Sequence, residues 1–365
     1  MSYMFYNCIN LNSITFDSND IRNISDMNHM FYNCISLKSV INFEYFKMGN
    51  KYSNLSFMFY NCKELKSIKF NSGNFRVDDM KYMFYNCLKL EKIDLKSISI
   101  NSDAYFNMSY LFYNCQSITS IELKENAFKM NDTRGMFYNC NKLTSINFNP
   151  SGTIDNINMT KMFYNCIELE IITLKYGDGS GNNYFKPNDM SSMFYNCNSL
   201  TSLDLNNFQT DKVKYMSYML YNCKGLTNFI PLINNFENTN IIDKRGIFQN
   251  CESIQSLNLE KFYTPNVEIL WNMFKGCTNL INLTIPNFDT SKVTDMQSMF
   301  SGCKRLNLNH FNKTLVQYMN EMFQDCEKLK QLNMSQLISD SIGTMYRMFY
   351  GCISLEYLRR DLIFI

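Results

Sequence analysis

The residue with chemistry to offer in this chain is cysteine. There are 14 Cys and only two His among 365 residues. The Cys stand at 8, 34, 62, 87, 115, 140, 166, 197, 223, 251, 277, 303, 326 and 352, at intervals of 23 to 31 residues. An even count in a short secreted chain would read as disulfides, and Cys-x-x-Cys pairs would read as zinc. The chain has no Cys-x-x-Cys, and its single Cys recur too regularly to be a disulfide framework. If the intervals stack like neighbouring strands, the Cα atoms lie ~4.8 Å apart, inside the disulfide range. Parallel side chains, however, keep their Cβ atoms too far apart to bond. The expectation is a buried ladder of free thiols, each a weak donor to nearby backbone.

The remaining candidates are weaker. His29 and His310 have neither a nucleophile nor a carboxylate pair at a defined spacing, so both are expected to be isolated and solvated. In the longest interval, Asp178, Ser180 and Asn182 alternate like the first ligands of a calcium loop, with Asp189 in twelfth place. Asn183 stands where that loop needs Gly, Pro187 interrupts it, and two flanking helices are required. A surface insertion is expected instead. Trp271 is expected to be locally packed or half-exposed. No catalytic, cofactor-binding or metal-binding residues are therefore expected, and no enzyme.

The elements that carry the Cys repeat with it. Eight copies read Phe-Tyr-Asn-Cys, and Leu or Ile follows every Cys three residues later. Before the Cys comes Met-x-x-Met-Phe, as in Met27-x-x-Met30-Phe31, and 22 of 25 Met fill its two Met positions. Apolar residues at i, i+3 and i+4 share one face of a helix. Asp26, Asp79, Asp189 and Asp295 precede the first Met, where a carboxylate suits the positive end of a helix. Asn, Gly or Asp precedes each Cys, the types that tolerate a left-handed helix end. A helix of about two turns is predicted. After the Cys, Leu65-x-x-Ile68-x-Phe70 and its equivalents place two apolar residues two apart, the strand period.

One such unit cannot bury its own core, so units must stack. The predicted fold class is α/β. It is a solenoid of about 14 units of ~26 residues, each with one short parallel strand and one short helix. Residues 1–365 read as a single repeat domain marked from Cys8 to Cys352, being a fragment of the array or nearly all of it. Apolar Phe208 and Val213, Phe262 and Val267, and Phe288 and Val293 line the return path. Tyr stands two before the Cys ten times but yields to Gln249, Lys275, Ser301 and Gln324, so this position is solvated and its Tyr form an aromatic row.

The run Phe288-Asp-Thr-Ser-Lys-Val-Thr-Asp-Met296, within 282–303, and the stretch 202–223 resemble BspA-like leucine-rich repeats of bacterial and protist cell surfaces. The resemblance covers essentially the whole chain. It implies a leucine-rich-repeat solenoid used for adhesion or protein binding, without enzymatic activity, at the cell surface or outside the cell. It supplies no fixed binding residues, and no signal peptide is visible at the start of this chain.

Function is therefore expected on the inner sheet face, at the residue seven after each Cys. That row includes Lys69, Asp94, Glu122, Asn147, Thr173, Asp204, Asn258, Thr284 and His310. It is small, polar and mixed in charge, which suits a protein or glycoprotein partner. A net charge of +2 and the lack of Lys or Arg in register argue against nucleic acid. No run of 18 apolar residues gives a transmembrane segment. The alternative reading is a structural or intracellular scaffold that self-associates end to end through uncapped solenoid ends.

Overall fold

The computed structural model describes the chain except residues 17–21, 25, 44–46, 49–52, 71–74, 97, 101–105, 123–129, 148–153, 175–184, 231–240, 261, 263–264, 286–289, 309–315, 335–341 and 360–365. It divides into two compact units, Met1–Lys186 and Pro187–Ile365. Each is a stretch of parallel β-solenoid, with about ten regular turns between them.

The strands after the Cys pair in parallel and in direct register. In the first unit Ser13–Thr15 pairs with Ser39–Ile41, Lys92–Asp94 with Ser120–Glu122, and Ser145–Asn147 with Ile171–Thr173. In the second unit Ser202–Asp204 pairs with Asn228–Ile230, Ser256–Asn258 with Asn282–Thr284, and Gln331–Asn333 with Tyr357–Arg359. The central residue of most of these strands faces the core, as with Ile93, Ile146, Leu203 and Leu257, whereas Leu358 in the last is exposed. The array is not 14 equal units. The intervals differ in length, and residues 67–69, at the strand position after Cys62, form no strand.

The return path builds a second parallel ladder. In the first unit it runs through Ser53–Asn54, Phe75–Asp79, Phe106–Asn107, Met130–Asp132 and Ile154–Asn158. In the second unit it thins to single bridges, Asp243 to Ile269, Ile269 to Asp295 and Asp295 to Tyr318. Phe208, Val213, Phe262, Val267 and Val293 are buried as expected, while Phe288 lies outside the described residues.

The predicted helix does not form: among the described residues there is no α-helix. The Met-x-x-Met-Phe phrase is a ladder of tight turns. In the rung from Met27 to Cys34, the N–H groups of Met27, His29, Phe31 and Asn33 donate to Asn54, Ser56, Met58 and Tyr60 of the next rung, at 2.7–3.1 Å. Those of Met30, Tyr32 and Cys34 fold back to the carbonyl three residues earlier. Two left-handed residues per rung, such as His29 (φ 54°) and Asn33 (φ 59°), make this alternation. Packing explains the choice. A helix with its side chains is ~10–12 Å across, whereas parallel strands repeat every ~4.8 Å. One helix per rung would outgrow the strand spacing. The turn ladder keeps each rung thin and satisfies the N–H groups that a two-turn helix would leave open at its end.

Met27, Met30, Phe31, Cys34 and Leu37 have no exposed surface, and the same columns are buried in nearly every rung. Each fully buried side chain of this size is worth roughly 1.5–3 kcal/mol. The columns, not local propensity, therefore hold the rungs together.

Candidate functional site

Most of the residues assigned to a partner face lie at strand ends. In the first unit Asp94 and Asn147 end their strands and are exposed, and Thr173 is half-buried. Lys69 is exposed but off any strand. Glu122 ends its strand in register with Asp94, and Thr173 lies in register with Asn147. In the second unit Asp204 is exposed, and Asn258 and Thr284 are exposed and in register with each other. His310 lies outside the described residues, as does the calcium-like run 177–183. Asp189 is engaged elsewhere, its Oδ1 accepting the Ser191 N–H at 2.8 Å.

That contact belongs to a column. The residue before the first Met caps its own turn, because its side-chain oxygen accepts the N–H two residues on. Asp26, Asn54, Asp79, Asn107, Asp132 and Asn158 do so in the first unit, and Asp243 and Asp295 in the second. These are side-chain-closed turns and not helix-dipole contacts. The free carboxylate oxygen then meets the side chain of the same second residue: Lys81 on Asp79 at 3.2 Å, Arg134 on Asp132 at 2.8 Å, Arg245 on Asp243 at 2.7 Å. Burial nevertheless holds the Asp132 carboxyl above its usual value, against the opposing pull of Arg134. Along the first unit, Asp and Asn alternate strictly from Asp26 to Asn158.

The Cys column is a thiol ladder. All 14 Cys are free, and 12 are buried. Eleven of them donate to the backbone carbonyl of the Phe in the preceding rung, as Cys34 Sγ does to Phe5 O at 3.0 Å and Cys62 Sγ to Phe31 O at 3.1 Å, and Cys251 donates to Leu220 O. Burial pushes the Cys34 thiol up to about 11 and those of Cys223 and Cys277 to about 12. These groups are neutral and poor nucleophiles. Beside them runs an asparagine ladder. Asn61 Nδ2 donates to Asn33 Oδ1, Asn86 to Asn61 and Asn114 to Asn86, all from left-handed residues.

The tyrosine row is stacked. From Tyr6 through Tyr32, Tyr60, Tyr85, Tyr113 and Tyr138 to Tyr164, neighbouring ring centroids are 4.5–4.8 Å apart. A second stack lies beside it: Tyr3, His29, Phe57, Tyr82 and Tyr110, at 4.6–4.8 Å. This overturns the isolated, solvated reading of His29. Its ring is half-buried between Tyr3 and Phe57, and that burial lowers its pKa, although Asp26 pulls the other way. The legible signal was an aromatic residue five before the Cys in each of the first five phrases.

Lys244 was also missed. It occupies the first Met position of its rung, is 1% exposed, and sets its ammonium 3.8 Å from the centre of the Phe262 ring. Burial pushes it down to about 7. Alignment on Cys251 would have found it. Trp271 is 37% exposed and lies beside Arg245, 5.9 Å from the guanidinium carbon. Among the described residues, no group of three or more His, Cys, Asp or Glu is arranged to hold a metal, and no helix is long and apolar enough to cross a membrane.

Most of the chain matches known families. Residues 153–257 and 242–358, more than half of the chain, match the family described as Mycoplasma protein of unknown function, DUF285. The chain belongs to the DUF285 family. Residues 1–111 and 41–130 of this DUF285 chain match the BspA type leucine rich repeat region in six copies. Over that first third it is similar to BspA-type leucine-rich repeats. No catalytic family is among these matches, and no curated protein matches the DUF285 chain. Among solved structures it is similar to a leucine-rich repeat protein from Bacteroides ovatus (18% identity, TM-score 0.47, 98% of this chain and 81% of that one). It is also similar to a leucine rich cell surface protein from Faecalibacterium prausnitzii (16% identity, TM-score 0.41, 96% and 88%).

Proposed function

We propose that this chain is a non-enzymatic binding or adhesion module for a protein or glycoprotein partner. The residues assigned to contact are Lys69, Asp94, Glu122, Asn147 and Thr173 in the first unit, and Asp204, Asn258, Thr284 and His310 in the second. The observation that carries this reading is the register of Asn258 on Thr284, both exposed at the ends of neighbouring parallel strands. Repeated small polar groups at strand spacing offer many weak hydrogen bonds to one extended ligand. The match of residues 1–130 to BspA-type leucine-rich repeats supports the same class.

The test is a binding screen of the purified chain against immobilised glycans and surface glycoproteins, followed by Asn147→Trp and Asn258→Trp. Both sites are exposed, so folding is expected to be unchanged. A hit on this row loses at least about tenfold in affinity, ~1.4 kcal/mol. Hits that survive both substitutions unchanged would place binding elsewhere.

A further inference from the structure

The tyrosine row of the first unit has no part in the reading above. Its rings are nearly parallel, 3° between Tyr85 and Tyr113, 13° between Tyr113 and Tyr138, and 1° between Tyr138 and Tyr164, with centroids 4.5 Å apart in each case. Every ring keeps an edge in solvent. Left-handed backbone on both sides, at Tyr110 and Asn114 for example, fixes each rung in place.

We infer that this row is a site of oxidative modification, in which neighbouring tyrosines couple to dityrosine under a haem peroxidase and hydrogen peroxide. The peroxidase takes one electron from each of two phenols, and their hydroxyl protons leave with the electrons. The two phenoxyl radicals then join through ring carbons ortho to oxygen, forming one C–C bond. The hydrogens on those two carbons depart as protons, and the two oxygens are reprotonated. Each link costs the protein two hydrogen atoms and reduces one peroxide to two waters.

The stacking geometry favours coupling inside the row. Stacking at 4.5 Å brings the ortho carbons of adjacent rings within reach once both rings turn about Cβ–Cγ and their rungs close slightly. Burial, with help from neighbouring phenols, also holds Tyr85 and Tyr138 up to about 12. They are therefore protonated at neutral pH and must lose the proton together with the electron.

The experiment treats the full chain, at low concentration, with horseradish peroxidase and hydrogen peroxide. Dityrosine is read by its fluorescence, and linked peptides are mapped by mass spectrometry. The expected product has monomer mass less two hydrogens per link, with links joining row neighbours such as Tyr85 to Tyr113. Tyr113→Phe keeps a ring in the stack but removes two of the row's six contacts, so row links formed at low conversion fall by about a third. Tyr138→Phe repeats the test at a second rung. Tyr215→Phe, at an exposed tyrosine outside the row, leaves the yield unchanged. Links mainly between molecules, links to Tyr215 as frequent as those within the row, or an unchanged yield in both row variants would overturn the assignment.

Discussion

The ring of Tyr110 lies over Gly135 so closely that a Cβ at Gly135 would stand 2.7 Å from two of its carbons. Gly135 also has φ 57°, a backbone that side chains resist. Gly135→Ala therefore meets both strain and a clash, and should cost about 2–3 kcal/mol by chemical denaturation. In a Tyr110→Ser background the clash disappears and only the backbone cost remains, about 1–2 kcal/mol. Equal costs in both backgrounds would show that the ring is not the obstacle.

Ser192 is the converse case. It is a half-buried, non-glycine residue at φ 53°. Ser192→Gly relieves that conformation and gives back part of the gain as unfolded-chain entropy, for a net stabilisation of up to ~1 kcal/mol. A lowered melting temperature would contradict this.

Lys244 makes stability depend on pH. Its folded value, about 7, lies below the ordinary 10.5, so between them the folded state holds fewer protons than the unfolded one. The burial penalty is complete below pH 7 and fades as pH rises towards 10.5. Unfolding free energy should rise over that window by no more than about 5 kcal/mol. Lys244→Met restores the column residue and should remove this part of the rise. Parallel pH profiles for the two proteins would argue that the lysine is not buried as described.

The thiol ladder predicts reactivity. Cys8 is exposed and the next 12 Cys are buried. A thiol reagent should label Cys8 first in the native chain. Under denaturing, non-reducing conditions all 14 should titrate. A denatured count near zero would mean disulfides in place of the ladder.

Asn86 gives Nδ2 to Asn61 and takes Nδ2 from Asn114, both at 2.6 Å. Asn86→Asp keeps the acceptor but sets a carboxylate against Asn61 Oδ1. The cost at neutral pH is about 1–3 kcal/mol. Protonation restores a donor, so the folded pKa of the new carboxyl is raised above ~3.9. The deficit is therefore small in acid and grows as pH rises through that raised value. A deficit that does not change with pH would rule out the ladder bond.

Much of this fold was legible because Cys, Phe and Leu recur in fixed columns and each column is buried. The strand positions followed from apolar spacing of two, and Ile93, Ile146 and Leu257 face inward as that spacing requires. The helix was misread because Met27, Met30 and Phe31 satisfy the i, i+3, i+4 pattern equally well in a rung of tight turns. What separates the two is φ at His29 and Asn33, and only Asn33 advertises a left-handed backbone by residue type. His29 and Lys244 were misjudged or passed over because each departs from its column, and a departure is visible only after the columns are aligned. The strand-end row stands where the spacing put it at Asp94, Asn147, Asp204, Asn258 and Thr284. What it binds depends on the partner's chemistry, which no spacing encodes.

The alternation of Asp26, Asn54, Asp79, Asn107, Asp132 and Asn158 bears on how such an array can grow or shrink. Successive Asp are 53 residues apart, two intervals each. Excising one interval would seat carboxylate beside carboxylate at ~4.8 Å, a repulsion of about 1–3 kcal/mol. Excising two would leave the pattern intact. The heritable module of this stretch is accordingly the pair, and lineages that vary in length are expected to gain or lose repeats by twos.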